Sequence, residues 1–136
     1  MRNIELPARS ERLADIINRV GLATLRRSVV NALAPLALRR VALAEALAVD
    51  ARVLLLDETA TGLCPSAADQ FGALLRHIAS DGRGVLVVSR ERGVLPHLSS
   101  RRFTLLGGVL LGGDLPGTLW TGQDSRMTIN DRRRMP

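Results

Sequence analysis

The chain has 136 residues, of which 46% are hydrophobic, and a formal charge of +6. That length suits one domain, and the apolar content is enough for a core, which excludes wholesale disorder. Its apolar runs, Val53–Leu56, Val85–Val88 and the Gly107-Gly108-interrupted Leu105–Leu111, fall far short of the ~20 residues of a membrane-spanning helix. No direct membrane insertion is therefore expected. Met1–Pro7 has no apolar stretch of the kind a secretory signal carries, so a cytoplasmic location is expected. A single cysteine, Cys64, excludes an internal disulfide.

All 19 basic residues are arginine, and there is neither lysine nor tyrosine. A phosphate loop uses a lysine ammonium to reach the β- and γ-phosphates, and this chain has none to offer. The arginines are spread out, with pairs at Arg26–Arg27, Arg39–Arg40 and Arg101–Arg102 and one cluster at Arg132–Arg134. Only Phe71, Phe103 and Trp120 are aromatic, so there is no arginine–aromatic interleaving for stacking bases. Solvated faces are expected, with no specific nucleic-acid partner and only weak, salt-sensitive association.

In chain order, Leu13, Ile16, Ile17 and Val20 recur at helical spacing, predicting a helix over Glu11–Val20 with Ser10 as N-cap and Gly21 as its end. The stripe is expected to be core. Leu22–Val30 reads as a connecting or short helical segment. Leu36–Val49, rich in Ala, Leu, Val and Arg, predicts a second helix with Pro35 in its first turn. Val53–Leu56 is too short and too uniformly apolar for an amphipathic helix, so it is expected to be a strand buried on both faces. A turn over Thr59–Pro65, a helix over about Ser66–Ser80 and a turn at Asp81–Gly84 lead to a second buried strand, Val85–Val88. Phe103–Leu106 and Val109–Leu111 around Gly107-Gly108 predict a hairpin. Residues 121–136 are polar, basic and aperiodic, and are expected to form a flexible tail. Strand–helix–strand alternation gives an α/β, mostly parallel sheet flanked by helices.

The strongest local signal is Val53-Leu54-Leu55-Leu56-Asp57-Glu58, followed by Thr61-Gly62-Leu63. Carboxylates at the C-terminal end of a parallel strand stand where ligands bind in open α/β sheets. Two adjacent acids after an apolar run cost desolvation unless a cation or hydrogen bonds offset it. In nucleotide hydrolases the first carboxylate holds Mg²⁺ and the second orients or deprotonates water. The alternative is a strand end whose acids face solvent or cap the next helix. His77 and His97 have no second ligand at metal spacing and read as surface residues. Glu45 is an exposed helical position without an assigned role, and Cys64 beside Pro65 stands at a turn that leads into a helix.

From about Glu11 to Trp120 the chain resembles the ABC-transporter ATPase domain, in its C-terminal part. Leu33-Ala34-Pro35-Leu36-Ala37 stands where the family has its Leu-Ser-Gly-Gly-Gln signature, and Arg40-Val41-Ala42-Leu43-Ala44 follows as the family's Arg-Val-Ala-Leu-Ala segment. Val53–Asp57 resembles the Walker B strand, with Asp57 at the Mg²⁺ position and Glu58 at the general-base position. Thr61-Gly62-Leu63-Cys64-Pro65 resembles the D-loop, and Val85-Leu86-Val87-Val88-Ser89-Arg90 the switch-histidine strand. Phe103–Asp114 resembles the final strands.

The departures matter as much. Ala34 lacks the signature serine's hydroxyl, and Pro35 and Leu36 replace glycines, removing an amide donor and close backbone approach to phosphate. Cys64 replaces the D-loop aspartate, Thr59 the proline after the glutamate, and Arg90 the switch histidine, whose neutral hydrogen bonding a guanidinium cannot reproduce.

The resemblance thus implies a partial P-loop NTPase domain over residues 1–120, with a helical and signature region over 10–50 and Walker B to final strands over 51–120. The phosphate-loop strand is expected to be missing, leaving a gap between the Val85–Val88 and Phe103–Leu106 strands unless rearrangement or a partner closes it. ATP and Mg²⁺ are the implied cofactors. The implied partners are an ABC ATPase protomer, as homo- or heterodimer, and a transporter membrane subunit that would hold the chain at the inner face of the plasma membrane. A truncated subunit unable to bind or hydrolyse ATP alone is the first expectation. A non-enzymatic protein docking on an intact ATPase or membrane subunit is the second, and a decayed copy the third.

Overall fold

A computed structural model describes residues 9–90, 101–112 and 125–130. The chain divides into two compact units, Met1–Ala51 and Arg52–Pro136. His97, Trp120 and the remainder of the basic tail lie outside the described residues.

The first unit is helical. Helix α1 spans Arg9–Arg19 and helix α2 Pro35–Ala48, joined through 3-10 turns at Ala23–Leu25 and Val30–Ala32. Ser10 lies inside α1 rather than capping it. The C-terminus of α1 follows the chemistry of Gly21: at φ +73° the chain turns left-handed, and the Leu22 amide reaches back to the Ile17 carbonyl at 2.9 Å. The end of α2 repeats this geometry with Asp50 at φ +57°, and the Ala51 amide donates to Ala46 at 3.2 Å. Arg40 of α2 ties the helices together by donating to the Gly21 carbonyl at 3.2 Å. Ile16, Val20, Leu22, Ala37, Leu43 and Leu47 form the core. The expected stripe is only partly buried, because Leu13 is 50% exposed at its outer margin.

The second unit is a sheet with one long helix. Strand β1 (Val53–Asp57) pairs in parallel with β2 (Gly84–Ser89), and helix α3 (Pro65–Ser80) makes the crossover and packs on β2. Strands β3 (Arg101–Leu106) and β4 (Val109–Gly112) form the expected hairpin around Gly107 and Gly108, at φ +54° and +83°. Those two left-handed residues give a turn whose twist matches the strands, and glycine adopts it without a Cβ penalty.

Two strand expectations change. β1 is not buried on both faces: Leu54 is buried, while Val53 and Leu55 are 61% and 73% exposed. β1 is an edge strand, and α3 covers one face only. The alternation in β2 likewise buries Val85, Val87 and Ser89 and leaves Leu86 and Val88 half-buried.

The larger change is in the tail. Ser125–Asn130, expected to be part of a flexible tail, forms strand β5. It stands between β2 and β3, antiparallel to both, so the sheet order is β1-β2-β5-β3-β4. The gap expected between the Val85–Val88 and Phe103–Leu106 strands is therefore occupied by the chain's own C-terminal segment. Two neighbouring strands with unpaired ladder groups are satisfied at once by one inserted strand. The sheet is consequently mixed, with a single parallel pair.

Candidate functional site at the end of the first strand

The candidate site is built where β1 and β2 end side by side. The ladder continues one residue past β1, as the Glu58 amide donates to the Val88 carbonyl at 2.9 Å. Glu58 then adopts φ +49°, a left-handed conformation that costs an ordinary side chain about 1 kcal/mol. The turn is held by the Thr61 amide on the Glu58 carbonyl at 3.1 Å. Strained backbone of this kind persists only where its surroundings hold it.

The side chain of Glu58 supplies that hold. Its Oε1 accepts from the Arg90 amide at 2.9 Å and from Arg90 Nε at 3.1 Å. Its Oε2 accepts from the Thr61 hydroxyl at 2.7 Å. Both carboxylate oxygens are thus engaged, one across strands and one within the turn. Partial burial pushes the Glu58 carboxyl up, but the Thr61 hydroxyl, the Arg90 side chain and amide, and the Arg90 charge together outweigh it and hold it below its ordinary 4.5. A carboxylate so held is a weaker base than a solvated one.

Asp57 ends β1 on the exposed side. Its position at the carboxyl end of the strand is open to a hydrated Mg²⁺, which takes one or two carboxylates and keeps several waters. Among the described residues no group of three His, Cys, Asp or Glu is placed to hold a metal ion. Asp57 thus stands as a lone exposed carboxylate at the strand end, beside a Glu58 carboxylate that three donors already engage.

Cys64 stands at the start of α3, immediately before Pro65. The amide of Ala67 and the Ser66 hydroxyl, 3.8 Å from the sulfur, lower its thiol below the ordinary 9.0. Ala34, Pro35 and Leu36 belong to the other unit. Ala34 is the N-cap of α2 and makes no side-chain capping bond, and Pro35 takes the first helical position, where its missing N–H withdraws a donor from the helix end. Ala34 and Pro35 are exposed and Leu36 half-buried.

The structure thus brings Glu58 and Arg90 together and adds Thr61, which the sequence did not mark as a partner. Thr61 lies three positions after Glu58 in a turn, so its bond is local and in principle readable. The Arg90 contact spans 32 positions and depends on the parallel pairing of β1 with β2. His77 is an exposed residue in the last turn of α3.

No protein-family model matches the chain. Curated relatives do. The chain is 30% identical over 122 residues to the cobalt import ATP-binding protein CbiO of Salmonella typhimurium, covering 88% of this chain and 45% of that protein. It is 29% identical over 126 residues to the energy-coupling factor transporter ATP-binding protein EcfA of Methanothermobacter thermautotrophicus, covering 93% and 40%. It is 34% identical over 95 residues to the octopine permease ATP-binding protein P of Rhizobium meliloti, covering 70% and 36%. The chain spans less than half the length of each of these relatives. With an α/β fold, the Asp57-Glu58 strand end and this similarity across most of its length, the chain belongs to the ABC transporter ATP-binding protein family.

Proposed function

We propose that this chain is an ABC transporter ATP-binding subunit that neither binds ATP tightly nor hydrolyses it by itself. Its role is then exercised on partners: an ABC ATPase protomer and a transporter membrane subunit. The observation that carries this is the clasp on Glu58, whose two oxygens are taken by Arg90 and Thr61. Three donors already engage Glu58, and its lowered pKa makes it a weaker base than a solvated carboxylate.

The signature region supports the same reading. A helix N-terminus grips phosphate with amides and hydroxyls, and Ala34-Pro35-Leu36 offers no hydroxyl and one amide fewer. Arg90, at the position of the switch histidine, directs its Nε to Glu58 rather than offering a neutral imidazole. Asp57 remains as a carboxylate open to Mg²⁺. Cobalt and octopine belong to the names of those relatives alone.

Isothermal titration of the purified chain with Mg-ATP, together with a phosphate-release assay, tests this. The expected outcome is no saturable heat in the micromolar range and no turnover above buffer. Micromolar affinity or sustained turnover would overturn the proposal. Co-purification with a full-length ABC ATPase is expected, and consistent isolation of the chain alone would count against the partner role.

A further inference from the structure

Strand β5 is the only link, among the described residues, between the parallel pair β1-β2 and the hairpin β3-β4. It comes from the C-terminal segment, yet it occupies the centre of the sheet. A central strand has neighbours on both sides; β1 and β2, Val53-Leu54-Leu55-Leu56 and Val85-Leu86-Val87-Val88, are apolar throughout although one face of the sheet is uncovered. β5 is not. Its sequence is Ser125-Arg126-Met127-Thr128-Ile129-Asn130.

The register sharpens the mismatch. Asn130, Thr128 and Arg126 pair with Val85, Val87 and Ser89, all buried. On the other side Arg126 pairs with Thr104, which is 1% exposed. Two buried apolar positions, Val85 and Val87, thus lie opposite Asn130 and Thr128, and Arg126 lies between the buried polar residues Ser89 and Thr104. Every residue of β5 has a partner on β2 or β3, but the positions opposite Val85 and Val87 favour apolar side chains.

We propose that the place between β2 and β3 is an acceptor site for an extended, uniformly apolar segment of a partner polypeptide, and that β5 is the resident strand which such a segment displaces. Strand addition takes its affinity from main-chain hydrogen bonds and its selectivity from the residues at alternate register positions. An incoming Val- and Leu-rich strand keeps every main-chain bond that β5 makes to β2 and β3. It also sets apolar residues against Val85 and Val87, where β5 has Asn130 and Thr128, and keeps the apolar match that Ile129 and Met127 already give Leu86, Val88 and Phe103. The proposal stands on sheet order and register, and does not depend on the reading of Glu58 or on ATP.

The test is hydrogen–deuterium exchange on the full chain, with and without a synthetic peptide that copies Gly84–Ser89 between solubilising lysines. At saturating peptide the amides of Ser125–Asn130 are expected to exchange at least about tenfold faster, while those of β2 and β3 keep their protection. The same peptide with proline at its centre is expected to have no effect. A triple variant, Arg126→Val, Thr128→Val and Asn130→Val, is expected to weaken peptide binding about tenfold, because the resident strand then competes better. Unchanged protection of β5, or joint loss of protection in β2 and β3, would overturn the proposal. So would peptide binding that leaves β5 in place, as addition at the β1 edge would. Concentration-dependent dimerisation that exposes β5 without peptide would identify a second copy as the occupant and overturn the partner assignment.

Discussion

At the scale of single residues, Arg90 and Thr61 hold the Glu58 carboxylate. Arg90 is 61% exposed at its side chain, so its bridge to Glu58 is screened and contributes about 0.5–1 kcal/mol. Glu58 has its folded pKa lowered, so the stabilisation is fully present above the ordinary 4.5 and is lost as pH falls through the lower folded value. Arg90→Ala is therefore expected to lower stability by about that amount at neutral pH, with the difference vanishing in acid well below 4.5. Paired urea titrations at the two pH values measure it. The variant should also bring the Glu58 carboxyl back toward its ordinary value, which carboxyl NMR titration reads directly. Cys64 makes a second, independent point: its thiol is exposed and shifted downward by the Ala67 amide and Ser66. The pH profile of its alkylation by iodoacetamide is expected to inflect below 9.0, and Ser66→Ala to move the inflection upward.

At the scale of elements, α3 and the β3–β4 hairpin show how local signals and packing combine. α3 begins at Pro65 and buries Phe71, Leu75 and Ile78, each at most 1% exposed. Leu75→Ala is expected to cost about 2–5 kcal/mol, read as a fall in the denaturation midpoint, because the removed atoms leave a cavity among fixed neighbours. In the hairpin, Gly108 sits at φ +83° with open space around it, so Gly108→Ala meets no clash but a strained backbone. A loss of about 1 kcal/mol is expected from the same midpoint measurement. Both elements were legible in the sequence, since helical periodicity and a Gly-Gly turn are properties of contiguous residues. The Ser10 cap was not, since Ser10 lies within α1. Nor was β5 legible. Ser125–Asn130 carries too little apolar material to announce a strand, and it becomes one through ladder groups on β2 and β3 that only the assembled sheet presents.

At the scale of each whole unit, the sheet has a covered and an uncovered face. Val53, Leu55, Leu105 and Leu110 are exposed, and register places them on one face together with half-buried Leu86, Val88 and Phe103. A long apolar edge and face of this kind promote self-association. Leu55, at 73% exposure, contributes little to the core, so Leu55→Lys is expected to leave the unfolding midpoint within about 0.5 kcal/mol while reducing light scattering in concentrated solution. The family was legible in the sequence by itself: the Arg40–Ala44 segment, the Val53–Glu58 strand end and the Thr61-Gly62-Leu63 turn follow one another in the family's order, and a curated relative is 30% identical over 88% of the chain. The sequence also determined the helices and the hairpin, because each depends on residues a few positions apart. Three things were decided only in three dimensions. These are the one-sided burial of β1, the engagement of Glu58 by Arg90, and the insertion of β5 at the sheet's centre. Each depends on pairing between residues tens of positions apart, and such pairing is set by which ladder groups and apolar faces remain unsatisfied once the local elements have formed.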